Sequence, residues 1–191
     1  MGSSTIPSQQ EAHWTGLEGS EYHARQTVTH EANVAFFSRA LARSEAVTFL
    51  EFGCGTGLNW NALRDWDENV RYTGIDIDGQ NIGAAAKGVP GQIGDWHVAS
   101  VSSTNREWHS AGVMPADLTF TKGCLIHVPP DELPWAYRNL YAWSMSDILV
   151  AEYYNPTPVE IPYRGKAGLL WKRDFAGEML AMFPDLQLID Y

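Results

Sequence analysis

The segment Val47-Thr-Phe-Leu-Glu-Phe-Gly-Cys-Gly-Thr-Gly57 most constrains what this chain can fold into. It reads as a buried β-strand that runs straight into a glycine-rich turn, with a helix opening at Leu58-Asn-Trp-Asn-Ala-Leu63. Glycine permits the sharp turn and leaves the main chain open to a ligand that any Cβ would block. The strand–turn–helix context separates such a run from a chance match. A second strand, Arg71 to Ile77, carries Asp76 near its end, about 20 positions beyond the last glycine. A carboxylate there can accept hydrogen bonds from both hydroxyls of a ribose. Together the two features predict a nucleoside-cofactor site.

The details narrow the cofactor. Gly53, Gly55 and Gly57 are spaced G-x-G-x-G, whereas a dinucleotide fingerprint reads G-x-G-x-x-G. A phosphate loop would close with Gly-Lys-Ser/Thr, and neither Lys nor Ser/Thr follows Gly57. Glu51, just before the first glycine, would repel a diphosphate but can help to hold an ammonium, directly or through water. The Glu-Phe-Gly-Cys-Gly-Thr-Gly run resembles motif I of class I S-adenosylmethionine-dependent methyltransferases, whose cofactor carries such an ammonium on its methionine end. A glycine turn in an unrelated α/β protein is the alternative.

The chain has 191 residues and no Pro/Ser linker, repeat or low-complexity block, so a single domain is expected over 1–191. Within it, 1–44 reads as an N-terminal helical cap region and 45–191 as a Rossmann-like core with a substrate loop at 154–173. The apolar runs fall far short of the ~20 residues of a membrane span, and the polar N-terminus has no signal-peptide core. A net charge of −10, with Lys and Arg scattered except between Lys166 and Arg173, argues against a nucleic-acid partner. A cytoplasmic protein with a small-molecule substrate is expected, without membrane, nucleic acid or metal. Cys54 and Cys124 read as small buried residues rather than a disulfide.

Strands are predicted at 47–53, 71–77, 95–100, 116–123, 147–153 and 186–191. Helices are predicted over 21–44, 57–66 and 79–87, over a stretch that Leu125-Ile-His-Val-Pro-Pro-Asp-Glu-Leu133 leads into and that runs to about Ser144, and over 174–183. Alternation of this kind implies a mostly parallel sheet with helices on both faces, a three-layer sandwich. Ligands then bind at the carboxyl ends of the strands. Methyltransferase sheets finish with an antiparallel hairpin, and its last strand is missing from this sequence. Two alternatives are open: a truncated chain, or an unpaired sheet position that a partner subunit, in a homodimer, could cover.

More narrowly, the chain resembles the pseudaminic acid biosynthesis-associated methylases. The resemblance lies in Trp14 with Gly19-x-x-Tyr22-x-x-Arg25, in Glu51–Gly57, and in Phe120-Thr-Lys-Gly-Cys-Leu-Ile-His127 with Pro130-Asp131. It is most specific in Ala151-Glu-Tyr-Tyr-Asn-Pro-Thr-Pro-Val-Glu-Ile-Pro-Tyr-Arg-Gly165 and Lys172-Arg-Asp-Phe-Ala-Gly-Glu178. The family has Arg-Asn where this chain has Arg25-Gln26, and it continues beyond the final Asp-Tyr. The resemblance implies methyl transfer to a sugar or nucleotide-sugar-related metabolite at oxygen or nitrogen.

Roles follow for individual residues. Gly53 and Gly55 are expected to pass beneath the methionine part of the cofactor, with Glu51 near its ammonium. Asp76 is the ribose acceptor or, alternatively, a helix N-cap, with Asp78 taking the ribose if the register shifts by two. Ile77 packs on the adenine, Ser100 and Val101 meet its edge, and Thr121, Lys122 and Gly123 run beside the methionine and sulfonium. Arg25 can pair with the methionine carboxylate or sit on a helix surface, and Trp14 and Tyr22 are aromatic candidates near the sulfonium. His127 is a candidate base or a helix-start histidine held by a carbonyl, and Tyr154 is the second catalytic candidate. Tyr153, Asn155, Tyr163, Arg164 and Arg173 are substrate candidates. Asn155-Pro156 is similar to the motif of amino-directed methyltransferases but follows strand five rather than four, so it carries no weight for N-methylation. Two other readings stay open: lyase, aminocarboxypropyl-transfer or cyclisation chemistry with the same cofactor, and a degenerate, non-catalytic interaction subunit.

Overall fold

The computed structural model describes residues 9–16, 28–88 and 94–191. A short helix, α1 (Gln9–Trp14), precedes α2 (His30–Ala40), and the sheet then begins. Strands β1 (Thr48–Phe52), β2 (Arg71–Asp76), β3 (Gly94–Val98), β4 (Ala116–Lys122) and β5 (Ser144–Ala151) form it. Between them run α3 (Leu58–Trp66), α4 (Gly79–Gly88), α5 (Asn105–Ala111), a 3-10 turn at Leu125–His127, and α6 (Leu133–Trp143). After β5 come the short strands β6 (Val159–Glu160) and β7 (Trp171–Lys172), and then α7 (Phe175–Met182).

The five-stranded sheet has the order β3-β2-β1-β4-β5, and every pairing in it is parallel. From β1 the chain winds outward through β2 to β3, then crosses back to lay β4 on the other side of β1. The reversal opens a crevice between the carboxyl ends of β1 and β4, where such sheets bind ligands.

Each face of the sheet carries its own core, because successive side chains of a strand point to opposite sides. Leu50, Phe52 and Ile75 pack with Trp108, Leu133, Leu140 and Phe175 on one face. Phe49, Tyr72 and Phe120 pack with Phe37, Trp60 and Leu63 on the other. Burying a side chain of Leu or Phe size is worth about 1.5–3 kcal/mol, so these two layers hold the helices to the sheet.

Several expected elements shift. The helix expected over 21–44 is described only as His30–Ala40; residues 21–27 lie outside the described residues. The segment expected to lead into a helix carries the 3-10 turn, Pro129 and Pro130 follow it, and the helix that it leads into is α6, which ends at Trp143 beside the expected Ser144. Helix α5 has no counterpart among the sequence expectations, although Thr104 and Glu107 form a reciprocal capping box at its start. The strand expected over 186–191 is absent: the segment is irregular, with Leu188 and Ile189 exposed. Alternating apolar residues make a strand only beside a hydrogen-bonding edge, and there the Ile189 carbonyl instead accepts from Arg43 at 3.0 Å. The described residues add no antiparallel strand to the main sheet; the antiparallel pair β6–β7 forms a sheet of its own. No helix among the described residues is long and apolar enough to cross a membrane.

Candidate functional site

The turn after β1 is built by close approach. Gly53 has φ +73°, and a Cβ there would lie 2.4 Å from the Cys124 sulfur. Main chain at the β1 end therefore passes directly against the start of the β4 loop, which only glycine allows. Two backbone amides, of Gly53 and Cys54, donate to the Ile75 carbonyl at 2.8 and 2.9 Å. The Gly55 amide donates to Asp76 Oδ2 at 2.9 Å. Asp76 Oδ1 accepts the Asp78 amide at 2.9 Å. Asp78 is buried and its Oδ1 accepts the Gln80 amide at 2.9 Å, so it begins α4 and leaves Asp76 for the cleft.

The cleft encloses about 760 Å³ of empty space, open solvent at its mouth included. Gly53, Gly55, Asp76 and Ile77 form one part of its lining, and Ala99, Ser100 and Val101 continue it past β3. Gly123, Cys124 and His127 form the wall after β4, and Trp14 closes the cleft from α1. The loop after β3 is braced from behind: the Trp108 indole donates to the Ser100 carbonyl at 3.0 Å, and Asn139 Nδ2 donates to the carbonyls of Val101 and Ser103 at 2.8 Å each.

His127 Nδ1–H donates to the Leu169 carbonyl at 2.7 Å, which sets the neutral tautomer with its lone pair on Nε2. Its ring lies 4.3 Å from that of Trp14 and 5.3 Å from that of Tyr163, centroid to centroid. Burial among these groups lowers its pKa from 6.5 to about 4, against the opposing pull of the Leu169 bond. Gln10 Nε2 donates to the Gly168 carbonyl at 2.6 Å, tying α1 to the segment before β7.

Other expected residues lie elsewhere. Glu51 does not line the cleft. It points to the α2–α3 side of the sheet, where Asn59 Nδ2 donates to Oε1 at 2.5 Å and the Tyr72 hydroxyl donates to Oε2. Burial raises its pKa to about 7, and the two donors only partly oppose that rise. Thr121 is fully buried and gives its hydroxyl to Glu152 at 2.5 Å. Lys122 sits over the Phe36 ring. Glu152 also accepts the amides of Cys124 at 2.9 Å, Leu125 at 3.0 Å and Ile126 at 3.4 Å, so it anchors the whole turn that carries His127.

The substrate candidates are likewise outside the lining. Tyr153 is exposed beneath the Lys172 ammonium, and Tyr154 is exposed with its ring 6.0 Å from that of Tyr191. The Asn155 side chain donates to the Thr157 carbonyl. The Arg173 guanidinium pairs with Glu178 at 2.8 Å, and Glu178 accepts from the Tyr137 hydroxyl at 2.7 Å. Arg164 has φ +54° at the tip of a tight turn closed by Tyr163 and Lys166. Tyr163 reaches the site through Trp14 and His127. Tyr22 and Arg25 lie outside the described residues.

Sequence reasoning missed Glu11, Asn81 and Glu132, which all line the cleft. Asn81 sits one turn into α4, within 3.4 Å of Asp76, and could have been found from helical spacing. Glu11 and Glu132 are brought in by tertiary packing, and no local pattern announces them.

No protein-family model matches the sequence, and no curated protein matches it. Solved structures do. A sugar N-methyltransferase from a Streptoalloteichus species superposes with a TM-score of 0.58 at 15% identity, over 86% of this chain and 67% of that one. An amino pentose methyltransferase of Micromonospora echinaspora calicheamicin biosynthesis, with SAM bound, gives 0.57 at 14% identity, over 76% and 63%. A plantazolicin methyltransferase, in complex with SAH and a pentazolic substrate analog, gives 0.55 at 18%, over 71% and 52%. The fold is that of class I methyltransferases. The chain spans about half to two thirds of the length of these structures.

Proposed function

We propose that the cleft binds S-adenosylmethionine and that the protein transfers its methyl group to a small-molecule acceptor, a sugar or nucleotide-sugar-related metabolite, at oxygen or nitrogen. The observation that carries this reading is the Asp76 carboxylate, fixed by the Gly55 amide and presented to the same cleft as Gly53 and Gly123. Asp76 would hold the ribose hydroxyls, Ile77 and Val101 offer apolar surface to a nucleobase, and the two glycines leave room for the methionine part. A Cβ at Gly123 would meet no atom of the described residues within 4 Å. When bound, the cofactor supplies a methyl group activated on a sulfonium.

Methyl transfer of this kind needs alignment first and a proton acceptor second. The turn anchored by Glu152 places His127 at the cleft, and the Leu169 carbonyl orients its ring. Neutral near pH 7, His127 would take the proton of the acceptor's hydroxyl or ammonium through Nε2. The sugar acceptor draws support from the structural neighbours described as sugar and amino pentose methyltransferases, and from the resemblance to the sugar-pathway methylases. Tyr163, packed on Trp14 and His127, is the substrate candidate nearest this chemistry.

Calorimetric titration with S-adenosylmethionine and S-adenosylhomocysteine tests the reading, with Asp76→Ala as the control. Binding by the wild-type chain that is lost in the variant supports the site, and activated amino sugars then become the acceptors to screen. Absence of binding by the wild-type chain overturns it. S-adenosylhomocysteine as product means methyl transfer, whereas methylthioadenosine means that the other end of the cofactor reacted.

A further inference from the structure

We infer that Glu132 selects the nucleobase, accepting a hydrogen bond from an exocyclic amine and so favouring adenine over hypoxanthine; this rests on the nucleoside-cofactor reading above. The cleft has a direction. Asp76 marks the ribose position at the end of β2, and Ala99, Ser100 and Val101 continue the lining beyond β3, away from the glycines of the β1 turn. Glu132 stands at the start of α6 and lines the same cleft.

Hydrogen bonds tie Glu132 to the nucleobase end. The Ser102 hydroxyl donates to Glu132 Oε2 at 2.9 Å, and the hydroxyls of Ser102 and Ser100 lie 3.1 Å apart. The loop they occupy is held by Trp108 and Asn139, so the carboxylate is positioned against a braced backbone. Ser102 engages Oε2 and leaves Oε1 as the acceptor for a ligand.

A carboxylate offers acceptors only, so it discriminates by what the ligand edge can donate. Adenine presents an amine at position 6. Hypoxanthine presents a carbonyl there, and two acceptors would meet with no proton between them. A site built around a buried polar partner rejects the mismatched analogue more strongly than apolar packing does. Among the described residues that line the cleft there is no Lys or Arg.

The test is calorimetric affinity of the full chain for S-adenosylhomocysteine and for S-inosylhomocysteine, in wild type, Glu132→Gln and Ser102→Ala. Wild type should prefer the adenine compound by about tenfold or more, the scale of one hydrogen bond to a charged group. Glu132→Gln should erase or reverse that preference, because a carboxamide can donate to the carbonyl. Ser102→Ala should reduce it while leaving Glu132 in place, which guards against a Glu132 variant that fails to fold. An unchanged preference in both variants overturns the inference and leaves the cofactor reading standing. If wild type binds neither compound, both fall together.

Discussion

The Gly55 amide and the Asp76 carboxylate are joined at 2.9 Å, so the glycine turn after β1 and the acid at the end of β2 form one unit. A ligand that engages Asp76 therefore meets a turn already held in place. The same oxygen-bearing group also takes the Asp78 amide, which starts α4. Asp76→Asn should cost cofactor affinity with little loss of fold, since the amide oxygen can keep one of these bonds. Asp76→Ala should do both. Isothermal titration beside a urea melt separates the two effects, and equal melts with equal affinities would count against the ribose role.

Gly53→Ala should be costly twice over. The new Cβ would stand 2.4 Å from the Cys124 sulfur and 2.8 Å from its Cβ, and the φ of +73° is unfavourable for any residue with a Cβ. Positive-φ strain and overpacking each cost about 1–3 kcal/mol, so a destabilisation of about 2–5 kcal/mol is expected. Chemical denaturation measures it. Cys124→Ala in the same chain should recover only part of the loss, because its Cβ still blocks the space and the backbone strain persists.

Glu51 should make stability depend on pH in an unusual direction. Its pKa rises from 4.5 to about 7 because burial disfavours the charged form. Between those values the folded state holds a proton that the unfolded state has released, so stability falls as pH rises and levels off above about 7. The rise corresponds to about 3 kcal/mol across the window. His127 acts oppositely: its pKa falls from 6.5 to about 4, so its contribution is lost as pH drops through that range. The difference between wild type and Glu51→Gln isolates the first effect. A difference independent of pH from 4.5 to 7.5 would show that Glu51 is ionised throughout.

These residues also show what a sequence can carry. The β1 turn and Asp76 were legible because glycine spacing and an acid at a strand end are local patterns with a direct physical cause. The parallel sheet was legible from alternation of strands and helices. The placement of Glu51 was half legible: period two puts it on the Phe49 face, opposite Phe52, but its partners Asn59 and Tyr72 come from two other elements. Glu132 and Glu152 act through contacts 30 and 31 residues away, with Ser102 and Thr121, which no window of sequence reveals. The strand expected at 186–191 shows the converse, since alternation without a hydrogen-bonding edge is not enough.

Glu152 should prove essential to the wall of the cleft although it does not line it. One carboxylate collects the Thr121 hydroxyl and the amides of Cys124, Leu125 and Ile126. Glu152→Ala leaves those donors enclosed without an acceptor, an expected loss of about 2–4 kcal/mol, with weakened binding of S-adenosylhomocysteine. Glu152→Gln keeps one acceptor oxygen and should lose about half as much. Urea denaturation with a binding titration on both variants checks the order.

The sharpest test concerns His127. Substituting Asn retains a side-chain N–H for the Leu169 carbonyl and removes the second ring nitrogen, so the turn stays anchored while the proton acceptor disappears. With an accepted substrate, His127→Asn should lower kcat by about a hundredfold or more and leave the affinity for S-adenosylhomocysteine within about threefold. The pH profile should carry the same message. A histidine of ordinary pKa would give a limb near 6.5, whereas one pushed to about 4 by burial is neutral across the physiological range. Activity governed by His127 should therefore stay level from pH 8 down to about 5 and fall below that. A limb at 6.5 that survives in His127→Asn would assign the proton transfer to another group and leave His127 as the strut between α1 and the Leu169 segment.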